Sequence, residues 1–86
     1  MTLEEAKLYL RVDTADEDGI IEGLILAAKE YCESYIRDII PDECPQSIKL
    51  AMLRLTAYFN EHRDDEGDGV PEVVHRLLAP YRKDGF

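Results

Sequence analysis

The chain has 86 residues, 45% of them hydrophobic, and nineteen acids against ten Lys and Arg give it a net charge of −9 and a pI near 4.5. That length holds one domain near the lower end of what folds alone, burying only roughly 60% of its unfolded surface, so association between copies is a natural supplement. The charge excludes gripping duplex DNA by phosphate neutralisation, which needs a basic face, and no apolar run approaches the roughly 18 residues of a membrane span.

The first residues, MTLEEAK, lack the basic-then-apolar layout of a secretory signal, and the chain is expected to be intracellular. Thr2 followed by Glu5 forms an S/T-x-x-E capping box and opens a short helix over about 3–10. Leu3, Ala6 and Leu10 give that helix one apolar edge; alone it is too short to persist, so it must pack on something. A second capping box, Thr14 with Glu17, precedes a long helix over about 14–39, whose first turn carries Asp16, Glu17 and Asp18 where the helix dipole favours them. Ile20, Ile21, Leu24, Ala27, Ala28, Tyr31, Cys32, Tyr35, Ile36 and Ile39 fill its apolar arc. Glu33 and Arg37 form an i, i+4 pair on the far side. Leu26 is the misfit, an apolar side chain among the charges.

Pro41 blocks continuation of that helix, and Pro45 suits the first turn of the next. The short connection predicts that the two long helices are antiparallel neighbours. The second of them spans about 46–63 and carries two apolar stripes. Ile48, Ala51, Met52, Leu55, Phe59 and His62 fall on one side; Leu50, Leu53 and Ala57 fall on the other, with Thr56 at the margin. A helix that only caps a core needs one stripe. Leaving Leu50 and Leu53 in water forgoes about 1.5–3 kcal/mol each, so the second side calls for a cover, from within the domain or from another chain. Leu26, Leu50, Leu53 and Ala57 are therefore the candidate subunit-contact residues.

The acidic run Asp64 to Gly69 reads as an exposed loop. It brushes against the calcium-loop pattern through Asp64, Glu66, Asp68 and Gly69, but His75 stands where the bidentate Glu belongs. A last short helix over about 71–78 follows, ended by Ala79-Pro80-Tyr81-Arg82. Tyr81 is suited to bury its ring with its hydroxyl wet, and Arg82 to meet a carboxylate bidentately. The pair reads equally as a clasp onto the long helices or as a partner contact. Residues 83–86 are read as a flexible tail behind a single helical domain over 1–82. The whole is all-α, a small bundle of two long helices flanked by two short ones.

Nothing points to catalysis. Cys32 and Cys44 are too far apart for a C-x-x-C site, and with His62 and His75 they lack the tight pairs of a structural zinc site. Buried or half-buried free thiols and a half-buried or capping His62 are the plain readings. No phosphate-cradling or nucleophile-elbow motif is present, so no cofactor, metal or enzyme activity is expected.

The order of segments TLEEAKLYLRVD, DEDGIIEGLILAAKEYCESYI, IKLAMLRLTAYFNEHRD and VPEVVHRLLAPYR resembles the small head–tail connector (adaptor) proteins of long-tailed bacteriophages and prophages. The most specific parts are LEEAK-x-YLR-x-D at the front and LLAPYR, with Pro80, Tyr81 and Arg82, at the end. One departure falls at the close of the central helix, where Asn60 precedes Glu61-His62-Arg63 in place of the usual aromatic. The resemblance implies a structural virion protein, made in the host cytoplasm and placed at the head–tail junction. Its copies would form a ring under the portal protein, meet downstream adaptor or tail proteins, and let DNA pass without specific binding. The competing reading is an acidic helical interaction module or inhibitor that imitates DNA to occupy a basic partner.

Overall fold

The capping box at Thr2 forms as the spacing requires. The Thr2 hydroxyl accepts from the Glu5 backbone N–H at 3.2 Å, and the Glu5 carboxylate accepts from the Thr2 N–H at 3.1 Å. In the computed structural model, which describes residues 2–12, 15–62 and 69–83, this box opens α1 (Leu3–Leu10). α2 (Asp18–Ile36), α3 (Gln46–Glu61) and α4 (Glu72–Leu78) follow, and a 3-10 turn (Ala79–Tyr81) closes the order. The described residues contain no strand; the fold is an all-α bundle.

α1 keeps its expected bounds, whereas both ends of α2 differ from the sequence expectation, and each end has a physical cause. α1 closes on Arg11 in the left-handed conformation, φ 61°. The N–H of Arg11 bonds back to Leu8 O and that of Val12 to Lys7 O, which satisfies the last carbonyls in the manner usually built on glycine. α2 ends the same way on Arg37, φ 62°, three residues before the expected end at 39. α2 also begins at Asp18, not near residue 14. The segment Ala15–Glu17 is a turn in which Asp18 N–H bonds Ala15 O at 3.2 Å, while Thr14 lies outside the described residues. Asp18 pairs with Lys7 at 2.8 Å, so the start of α2 is tied to α1.

The core is made by α2 and α3 packing side by side, with α4 in contact with both. Ala28, Cys32, Ile36 and Ile40 meet Ile48, Ala51, Met52 and Leu55, and Val74 and Leu78 close the cluster from α4. Burial follows the expected stripe on α3, with one addition. Thr56 is buried, its hydroxyl donating to Met52 O at 2.7 Å. That bond within the helix lets a polar residue sit where a purely apolar pattern would not place it. Three residues of the expected apolar arc are absent from the interior, since Ile20, Ala27 and Ile39 are all exposed.

Candidate interaction surfaces

α3 is contacted by all three other helices, so much of its second side is already covered. Leu53 and Ala57 are half-buried. Leu50 keeps 36% of its surface in solvent, beside Lys49, which forms an ion pair with Glu5 of α1. Ala57 lines a cleft with Tyr9 and Pro71.

The larger apolar exposure lies on α1, α2 and the segment after α2. Leu8 is 80% exposed, Ile39 78%, Leu26 61% and Ile20 50%. Sequence reasoning singled out Leu26 alone among these. The periodicity that marks Leu26 also places Leu8 about 140° from Leu3 around α1, off the buried edge, so that signal was present. For Ile39 no such signal exists, because nothing in the sequence marks Arg37 as a left-handed helix end.

Leu26 borders two adjoining grooves. One of about 300 Å³ lies between Leu3 of α1 and Glu22, Ile25 and Leu26 of α2. The other, of about 220 Å³, continues from Ile25 and Leu26 to Ile40, Pro41 and Met52. A further groove shares Leu3 and extends past Glu4, Lys7 and Leu8. Together they form an apolar trough along one flank of the α1–α2 pair.

The C-terminal residues are fastened to the end of α2. Lys83 N–H donates to Ile36 O at 2.8 Å, and Lys83 Nζ pairs with Asp38 at 3.0 Å. Arg82 meets no carboxylate among the described residues; its guanidinium lies over the Tyr35 ring, 5.0 Å from the centroid. Tyr81 packs half-buried against the core, and Pro80 is exposed within the 3-10 turn. The Tyr35 ring also stacks on His75, centroids 4.9 Å apart. The expected pair of Glu33 with Arg37 gives way to a backbone contact, since the Glu33 carboxylate accepts from Ile40 N–H at 2.8 Å.

The titratable and sulfur groups are structural in their surroundings. Cys32 is fully buried, and burial, with the Glu33 charge adding to it, pushes its thiol up to about 12. Cys44 is half-buried and also free. The His62 ring packs on Tyr58, centroids 4.6 Å apart, and the His62 backbone N–H closes α3 by bonding Tyr58 O. Among the described residues no group of three or more His, Cys, Asp or Glu is placed to hold a metal ion. The calcium-like positions 64, 66 and 68 lie outside the described residues. No described helix is long and apolar enough to cross a membrane.

This is a small bundle with apolar troughs and no chemical centre among its described residues, and its match to known sequences agrees with that picture. Residues 1–82 match the family described as phage gp6-like head-tail connector protein. The chain belongs to that family. As a connector, it is a structural component of a phage virion, and its work is contact with other head and tail proteins. Comparisons with curated proteins and with solved structures returned no match.

Proposed function

We propose that copies of this connector assemble into a closed ring beneath the portal, extending the channel through which DNA passes and offering a surface to the next adaptor or the tail. The supporting observation is the exposed apolar surface of the subunit. Ile20 and Leu26 stand roughly 120° apart around α2, on opposite flanks of its buried arc, and both are exposed. Two unlike patches on one subunit suit the head-to-tail contact of a ring, in which one surface meets a different one. Leu50, Leu53 and Ala57 add a third, partly covered apolar surface on α3, and the Pro80-Tyr81-Arg82 corner fastens the subunit end that carries it to α2.

The net charge of −9 fits a conduit. Carboxylates along a lumen repel phosphate, so DNA slides past without sticking, the reverse of a binder's electrostatics. Sedimentation across a concentration series, with and without a purified portal ring, tests the reading. Rings in free solution, or capture of subunits by the portal, are expected. A monomer that ignores the portal and instead binds basic proteins in a strongly salt-dependent way would overturn it. A ring whose lumen proves basic would overturn the electrostatic part alone.

A further inference from the structure

We infer that the contact between neighbouring copies is made by Ile39 of one subunit seated in the α1–α2 trough of the next, at Leu3, Ile25 and Leu26; this rests on the ring reading above. Ile39 is a knob held in place. Its own N–H donates to the Asp38 carboxylate at 2.9 Å. The next N–H, of Ile40, donates to Glu33 at 2.8 Å, and the Ile40 side chain is buried in the core. On the preceding side, Lys83 ties Asp38 and the Ile36 carbonyl to the C-terminal residues. An isoleucine exposed to this degree yet fixed from both sides loses little freedom on docking, and preorganisation of that kind favours association.

The trough offers the matching shape, a groove of about 300 Å³ between Leu3 and Leu26. Charge chooses the occupant. The knob stands two positions after Arg37, exposed at the end of α2, with Asp38 between them paired to Lys83, and Arg82 stacks on Tyr35 of the same end. The trough is bordered by Glu4 and Glu22, both exposed. Lys7, the nearby base, is already paired with Asp18. Lys29 and Asp42, of opposite sign, border the far end. In a chain with so large an excess of acid, Arg37 and the ring-stacked Arg82 at the end that carries an exposed isoleucine, with Glu4 and Glu22 beside an apolar groove, none of the four in an ion pair among the described residues, make a second copy of this chain the complementary partner.

The test uses two surface variants of the whole chain, Ile39→Asp and Leu26→Asp, each checked for unchanged helicity and melting. Each alone is expected to weaken self-association by about tenfold or more and to form no ring, because each lacks one half of the contact. Mixed together, they retain one good knob and one good trough, and a one-to-one dimer is the expected product. The charge exchange Arg37→Glu is expected to weaken assembly and Glu22→Lys in the same chain to restore it. Rings from either Asp variant, or no dimer from the mixture, would overturn the inference while leaving the ring intact. So would loss of portal capture with self-association unchanged, which would assign Ile39 to the portal. A parent chain that neither assembles nor joins the portal would sink the ring reading and this contact with it.

Discussion

The Tyr31 hydroxyl and Nε2 of His75 lie 2.8 Å apart, joining α2 to α4 across 44 positions of sequence. Nδ1 of the same ring faces Glu72 at 3.8 Å, which favours the tautomer protonated there and leaves Nε2 to accept from Tyr31. Burial raises the Tyr31 phenol above its ordinary range, so it stays a neutral donor. Tyr31→Phe removes the donor and strands a half-buried ring nitrogen. It is expected to destabilise the fold by about 1 kcal/mol, lowering Tm by about 4–8 °C in a domain of this size, as measured by calorimetry.

Arg11 occupies the left-handed region at φ 61°, where a side chain costs roughly 1–2 kcal/mol and glycine nothing. Arg11→Gly should therefore stabilise the subunit, by up to about 1 kcal/mol after the added freedom of the unfolded chain is set against it. Urea unfolding with an unchanged m-value and a raised midpoint is the expected result. An unchanged or lowered midpoint would contradict the cap geometry.

Acid should loosen two fastenings at once. Lys49 holds the Glu5 carboxyl below its ordinary range, with help from the Thr2 N–H. Lys83 does the same for Asp38, with the Ile39 N–H. A carboxyl whose folded pKa lies below its unfolded one contributes stability above the unfolded value, and that stability is lost as pH falls through the folded one. Stability is therefore expected to decline from about pH 5 downward, where unperturbed carboxylates begin to protonate. Glu5→Gln with Asp38→Asn should flatten the decline, with melting curves across pH as the readout.

The two thiols should differ in reactivity. The thiolate is the attacking species; Cys32 is sealed in the core with its pKa pushed up to about 12, whereas Cys44 is half-buried in the connection between α2 and α3. A chromogenic disulfide reagent at pH 8 is expected to titrate one thiol per native chain and both in denaturant.

Substitutions on the two sides of α3 should separate the fold from the assembly. Leu55 is fully buried, and Leu55→Ala is expected to cost about 2–5 kcal/mol, a large part of the roughly 5–15 kcal/mol of a whole domain. Leu50→Ala, at a residue more than a third exposed, should shift the monomer's melting little. Any larger effect should appear only in sedimentation.

Helix number, order and pairing were readable because the apolar period and the two prolines between the long helices, Pro41 and Pro45, mark them strongly. The first cap, at Thr2, was readable to the atom. Where α2 stops was not. Arg37 does what a glycine ordinarily does, its N–H bonded to the Glu33 carbonyl, while the residues on either side, Ile36 and Asp38, are clasped by Lys83 from far along the chain, and no local sequence cue marks that clasp. The same hidden turn moved Ile39 from expected core to exposed knob. Thr56 escaped for another reason, since its buried hydroxyl is satisfied four residues back along its own helix, which no apolar count registers. The Arg82 ring contact depends on Tyr35 arriving from 47 positions earlier, and carboxylate partners looked as plausible from composition alone.

The α2–α3 pairing is between helices adjacent along the chain, while α4 reaches α2 only through distant partners such as Tyr31. Neighbouring helices meet at small entropic cost and do so quickly. The hairpin should thus be the early-forming unit on refolding, with α4 docking last and leaving first. Amide exchange should accordingly run faster along Val74–Leu78 than along Ala28–Cys32, and a subunit whose last helix has lifted would expose Val74 and Leu78 to neighbours before any ring has closed.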